Sequence, residues 1–398
     1  MQQKVIQMPG MISIIATFAA VISSLSLLLP ASPAWVASGG AGAMGAGSVT
    51  AALMAVTVAT QLFAVRPALA RFGWQKTLVA GTLFMGVGSP LQAISPDLPL
   101  ALVSSALRGV GFGIVTVCGS MALSLLIPAE RRGQAVGLYG LAAAVPQMIL
   151  TPLAPWLIEV LGFRPVLCLG LIAVLGAPFA WHLGKLVDAR TAQAPASASQ
   201  QGAGAGSVLR IIWPALLTLT LITAAGGAFM TFAIDIAPTA LVASIALLVL
   251  TITAAPTRFW GGSLSDRFGT RVLMTPVLAL SAVGAVLIGF SAAGAEGNAR
   301  SILLLLGVLL VGAGYGFLQS VTMVRALNDA GPAHNARASV AWNANFDLGT
   351  GLGGLALGAL AQAGGFPGAW WIWAGLMAVS VAVMGARDAR EFRRHSPK

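Results

Sequence analysis

Two charged residues, Arg108 and Asp347, stand inside long apolar runs. An ionisable side chain at membrane depth is costly, so it marks a candidate ion or substrate site. Arg108 follows Asp97 by 11 residues, about 16 Å at helical rise. Asp347 follows Arg337 by 10 residues, about 15 Å. Both spacings put the charge near the middle of a ~30 Å hydrocarbon layer. An arginine there can hold an anionic group, and a carboxylate there can carry a proton. Asn343 precedes Asp347 by four residues and shares its helix face, continued by Gly351 and Gly354. That stripe suits either a cavity or a close helix contact, and Asp347 pairing only within the bundle is an equal reading. Asp235 follows Arg210 by 25 residues, about 37 Å, which predicts a solvated outer rim rather than a gate. Arg258 is expected near the inner end of its span, snorkelling or joining the loop that follows. The histidines His182, His334 and His395 are scattered, and Cys118 and Cys168 lie in apolar runs and read as small buried hydrophobes. With no nucleophile–base pair and no metal-ligand spacing, neither an enzyme nor a metal or cofactor is expected.

The elements that position these residues follow from composition. Of 398 residues, 57% are hydrophobic and 8% charged, against roughly 25% charged in soluble domains. So few charges cannot clothe a surface in water, and lipid is the expected surrounding. A crossing helix needs about 20 apolar residues. Apolar runs fall at 11–31, 47–67, 75–95, 98–122, 133–157, 164–184, 209–233, 239–260, 271–293, 301–323, 337–361 and 366–386. They predict an all-α membrane protein of twelve transmembrane helices, since the runs are too long for barrel strands and do not alternate. The first run, after Lys4, resembles a signal peptide but reads as the first span, because eleven similar runs follow.

The net charge of +11 does not point to nucleic acid; it marks loops. With twelve spans and both termini inside, two of the 22 basic residues (Arg164, Arg300) fall in outer loops and one, Arg108, within a span; the other 19 fall on the inner side. This asymmetry is what the positive-inside rule requires. It predicts a multi-pass protein of the cell inner membrane, with cytoplasmic termini. Residues 192–206 are Ala, Gln, Ser and Gly with one Pro, and read as a flexible linker. The expected organisation is a six-helix half at 1–184, a linker at 185–208 and a six-helix half at 209–398. The halves echo each other in order: Leu69-Ala70-Arg71-Phe72-Gly73 with Leu264-Ser265-Asp266-Arg267-Phe268-Gly269, Gly109–Gly113 with Gly312–Gly316, and Pro128-Ala129 with Pro332-Ala333. They predict two pseudo-symmetric bundles. The Gly109–Gly113 run lacks a following Lys-Ser/Thr and reads as a helix contact, not a phosphate loop.

These motifs resemble the major facilitator superfamily over essentially the whole chain. The segment Gly262-Ser263-Leu264-Ser265-Asp266-Arg267-Phe268-Gly269-Thr270-Arg271 is similar to that family's signature loop, which implies a tight charged turn stabilising one face of the transport cycle. Here Gly262 would allow close approach and Asp266 would pair with a basic residue or sit at a helix N-terminus. In the first-half copy Arg71 and Gly73 remain, but Arg66 replaces the Gly and Ala70 the Asp. Arg108-Gly109-Val110-Gly111-Phe112-Gly113 is similar to a second family pattern whose Arg is linked to proton coupling. In span five the antiporter motif is partial: Pro146 is present, while Val145, Ile149 and Leu150 stand where Gly is usual. The resemblance implies a secondary transporter working by alternating access, driven by the proton gradient and carrying a small-molecule substrate, as a monomer in the bilayer. Likeness to drug and metabolite exporters implies proton-coupled export of a drug, siderophore or other metabolite. Uptake of a small anion or nutrient, and a non-transporting scaffold or sensor, are the alternatives.

Overall fold

The computed structural model describes residues 5–128, 131–191, 205–294, 297–331 and 334–395. Their helices are α1 (Met11–Ser38), α2 (Gly42–Ala59), α3 (Val65–Ala93), α4 (Leu98–Leu126), α5 (Arg132–Leu161), α6 (Phe163–Cys168), α7 (Ala177–Thr191), α8 (Ala205–Ile236), α9 (Ala240–Phe268), α10 (Thr270–Ala292), α11 (Asn298–Ala330) and α12 (Asn335–His395). A π-helical turn, Thr60–Ala64, joins α2 to α3, and a 3-10 stretch, Leu169–Gly176, joins α6 to α7. Lipid offers the backbone no hydrogen-bond partner, so helices, which satisfy their own, are the natural solution for these sequences.

Among the described residues, ten stretches are long and apolar enough to cross a membrane. Two of them, Gly42–Ala93 and Arg337–Ala386, run 52 and 50 residues, about 75 Å at helical rise and more than twice a bilayer core. Each must cross twice. The backbone shows where: Gly73 (φ 76°, ψ 174°) and Gly365 (φ 79°, ψ 161°) leave helical geometry inside them. Counting those two stretches double gives twelve crossings, as the apolar runs predict. Pro30 and Pro33 do not end the first crossing near residue 31; α1 continues to Ser38, because in a membrane bundle neighbouring groups can satisfy what a proline leaves free.

The chain forms two compact units, Met1–Ala41 with Ala52–Gln201, and Gly42–Ala51 with Gly202–Lys398. The segment read as a linker is helical at both ends, since α7 runs to Thr191 and α8 begins at Ala205. Residues 192–204 lie outside the described residues, as do Lys4, Lys398, Ala129, Pro332 and Ala333.

In the first unit, α4 is gripped from two sides through three of its four glycines. A Cβ on Gly109 would lie 2.5 Å from the Leu53 carbonyl oxygen, and one on Gly113 would lie 2.7 Å from that of Thr57, both in α2. One on Gly111 would lie 2.5 Å from the Gly81 oxygen, in α3. The second unit repeats the pattern on α11: Gly312 and Gly316 face Leu250 and Ala254 of α9, while Gly314 faces Ser281 of α10. Alternate glycines thus admit alternate neighbours, and the paired motifs do the same packing work in each unit.

In α12, Gly349 faces Thr220 and Thr223 of α8, Gly353 faces Ala224, and Gly354 and Gly358 face Gly47 and Ala43 of the α2 segment in the same unit. Of the two readings of the stripe, its glycine end is therefore a close helix contact. Apolar side chains such as Leu175, Ile372 and Val379 are exposed, as a lipid-facing surface requires.

Candidate functional site

Arg108 is 1% exposed on α4 of the first unit. Its Nη1 donates to Ser32 Oγ of α1 at 3.1 Å. Gly88 on α3 makes room for it: a Cβ there would lie 2.9 Å from Arg108 Cγ. The Gly88 carbonyl is in turn held by Ser104 Oγ at 2.6 Å. Gln92, also fully buried, donates through Nε2 to the Ser32 carbonyl at 3.2 Å, and its own carbonyl accepts from Trp35 Nε1 at 2.9 Å. Arg108 Nε and Nη2 and Gln92 Oε1 have no partner among the described residues. A guanidinium is a planar fork of five donors that matches a carboxylate or phosphate. The two uncommitted N–H groups of Arg108 are of the type that pairs with such an anion, and burial makes such a bond strong.

Asp347, 9% exposed on α12, belongs to the second unit. Tyr315 of α11, 7% exposed, lies within electrostatic reach of both Asp347 and Arg258 of α9. Gly226 of α8 gives the Tyr315 ring its space. Phe346 packs on Tyr315 at 6.2 Å and stacks on Trp342 at 5.8 Å, and Trp342 Nε1 donates to Thr322 Oγ1 at 3.0 Å. Tyr315 thus sits beside an aromatic wall, with Asp347 and Arg258 each within its electrostatic reach. Arg258 also accepts, through its carbonyl, a bond from Ser320 Oγ at 2.6 Å.

Asn343 does not join Asp347. It is exposed and turns back to donate to the Ser339 carbonyl at 2.8 Å. Asn345 is the engaged amide: it donates to the Leu216 carbonyl at 3.0 Å and accepts from Thr220 Oγ1 at 3.1 Å, tying α12 to α8. Asp235 is exposed one residue before the end of α8, where the sequence spacing puts a rim charge. Arg300 Nη2 donates to the Ile236 carbonyl there at 3.2 Å, a cation at a helix C-terminus.

Both signature loops turn on a left-handed glycine, Gly73 and Gly269. In both, the preceding Arg stacks over Phe: Arg71 over Phe72 at 5.4 Å and Arg267 over Phe268 at 5.2 Å. The turn is thus preserved where the first-half motif is eroded. Asp266 is exposed. Gly262 is not the residue of close approach; a Cβ there would meet nothing within 4 Å, and its neighbour Gly261 lies against the Phe317 carbonyl instead. The helix turns Gly261, not Gly262, toward α11. Cys118 is buried as expected, but Cys168 is exposed, since the short helix α6 turns it outward. Ser32, Gln92, Tyr315 and Asn345 are polar groups within spans that the sequence reading passed over; their position in an apolar run was the signal available.

Twelve crossings with a buried charge in each of two units define a polytopic membrane protein. The chain belongs to the Major Facilitator Superfamily, whose model matches residues 12–241 and 215–398, and it is therefore a transporter and not an enzyme. Among curated relatives, it is 34% identical over 70 residues to the MFS-type transporter YfiU of Bacillus subtilis (strain 168), 18% of this chain and 14% of that one. It is 26% identical over 106 residues to YhcA of the same organism, 27% of this chain and 20% of that one. The matched part is thus a fifth or less of those relatives' length. Among solved structures, the nucleoside transporter NupG aligns at TM-score 0.73 and 16% identity, over 95% of this chain and 99% of NupG. A peptide transporter in complex with sulfate aligns at TM-score 0.70 and 16% identity, over 98% and 96%. At such identities the likeness shows the fold alone.

Proposed function

We propose that the protein exports a small organic compound in exchange for protons, by alternating access between its two halves. The observation that supports this is the buried Arg108 guanidinium, with two N–H groups uncommitted at a depth where charge is costly. Arg108 binds an anionic group of the substrate. Asp347 carries the proton, with Tyr315 within its electrostatic reach. Asn343 and Asp235 are secondary candidates in this reading, both on exposed surface. The chain works as a monomer in the inner membrane with both termini inside, needs no cofactor beyond the proton gradient and binds no nucleic acid; the 19 basic residues assigned to one side support that orientation.

Uptake of a small anion or nutrient is the second reading. In it the buried Arg108 guanidinium anchors the anion. A deletion strain screened for sensitivity to toxic compounds, and for metabolites missing from the medium, identifies the cargo. Everted vesicles then give the direction. Proton-driven accumulation of the cargo inside everted vesicles is expected; accumulation only in right-side-out vesicles would establish uptake instead.

A further inference from the structure

The two signature loops differ in where their acid stands. In the second half it is Asp266, in the loop itself and exposed. In the first half the matching residue is Ala70, and a carboxylate arrives from another helix. Asp188 of α7 accepts from the Trp74 N–H at Oδ1 (3.1 Å) and from the Gln75 N–H at Oδ2 (3.3 Å). Trp74 and Gln75 are the first residues after left-handed Gly73, so these N–H groups have no acceptor within their own helix. A carboxylate there also meets the positive end of the helix dipole. Gly184, one turn earlier on α7, permits the approach: a Cβ on it would lie 2.5 Å from Gln75 N and 2.9 Å from Trp74 C. A Cβ on Gly73 would lie 3.6 Å from Asp188 Oδ2, an ordinary contact, so glycine is needed there for its φ of 76° rather than for space. Gly184 and Asp188 therefore present one face of α7 to one helix start, as a contact and a cap.

We propose that Asp188 is the relocated acid of the eroded first loop. It is a positioning residue that locks the start of the third crossing to the end of the sixth, so that the two move as one body in the transport cycle. The inference rests on the transporter fold and not on the direction or cargo of transport, so its test needs no substrate.

Hydrogen–deuterium exchange of the full-length protein in nanodiscs reads the two amides directly. Asp188→Asn keeps the shape but loses the charge and one acceptor. It is expected to speed exchange at Trp74 and Gln75 by about tenfold, the order of effect of losing an N-cap. The matching amides of Thr270 and Arg271 in the second half stay unchanged, and Asp188→Glu recovers part of the protection. Spin labels at the exposed positions Lys76 and Lys185 give one narrow distance in the native protein and a broadened one in Asp188→Asn. Should Asp188→Asn fail to fold, Gly184→Ala loosens the same joint and is expected to give the same local gain in exchange. Unchanged exchange at Trp74 and Gln75, or an equal rise in both halves, overturns the proposal; the second result would mark general destabilisation rather than a lock.

Discussion

Arg108 on α4 donates to the hydroxyl of Ser32 on α1 at 3.1 Å, while its Nε and Nη2 find no partner among the described residues. A neutral hydroxyl is a weak match for a buried cation, whose desolvation costs several kcal/mol. A charge kept at that cost is kept for use. Stability and transport should therefore separate at this position.

Arg108→Met is expected to reduce transport of the identified cargo by at least about 100-fold, the loss of a charge-assisted bond of ~3 kcal/mol. Its thermal midpoint in detergent should stay equal or rise, because the variant removes an unpaired buried charge. Arg108→Lys should not restore transport, since a point charge does not reproduce the fork. Full activity in Arg108→Met would remove the residue from the mechanism.

Asp347→Asn is expected to abolish proton-driven transport while leaving exchange of cargo down its own gradient. Counterflow and proton-driven uptake, measured in the same proteoliposomes, give the two numbers. Retained proton drive would show that another group carries the proton.

Glycine contacts can be graded. Gly111→Ala pushes a Cβ to 2.5 Å from both the Gly81 oxygen and the Met85 nitrogen, a clash that should cost about 1–3 kcal/mol. Gly137→Ala meets nothing within 4 Å and should be neutral, or stabilising by up to about 1 kcal/mol through helix propensity. Thermal unfolding of the two variants should order them accordingly.

Gly73→Ala and Gly365→Ala place a side chain at φ 76° and 79°. Each should lose about 1–2 kcal/mol from the left-handed penalty alone, read as a lowered thermal midpoint. Asparagine at these positions should lose less, because it tolerates that region better.

Asn345→Leu removes both bonds to α8 and leaves the Leu216 carbonyl without that donor. A loss of about 1–3 kcal/mol is expected. Asn343→Leu, at an exposed residue bonded only to its own helix, should lose well under half of that. Chemical unfolding in mild detergent compares them.

Much of the architecture was legible because a bilayer imposes a length and forbids charge. The runs of apolar residues, the Gly-x-Gly-x-Gly repeats on α4 and α11 and the glycine turns at Gly73 and Gly269 are local patterns with one physical meaning each. The position of Arg108 within a span was equally plain, since nothing else in that run is charged. Choosing between Asn343 and Asn345 was not possible from spacing. Asn343 shares a helix face with Asp347, yet the phase of α12 against α8 turns Asn345 inward and leaves Asn343 exposed. The same holds for Gly261 and Gly262, adjacent residues of which only the first meets α11.

By itself, then, the sequence determined that this is an all-α membrane protein with two repeated halves and a charge buried in each. Tertiary structure decided which polar groups accompany those charges: Ser32 and Gln92 around Arg108, Tyr315 near Asp347, and Asp188 beneath a loop that carries Ala70 in place of an acid. Span length and charge position are set by the solvent, which acts on each segment alone. Partner choice depends on the rotation of each helix about its axis, and that is set only when neighbouring helices pack.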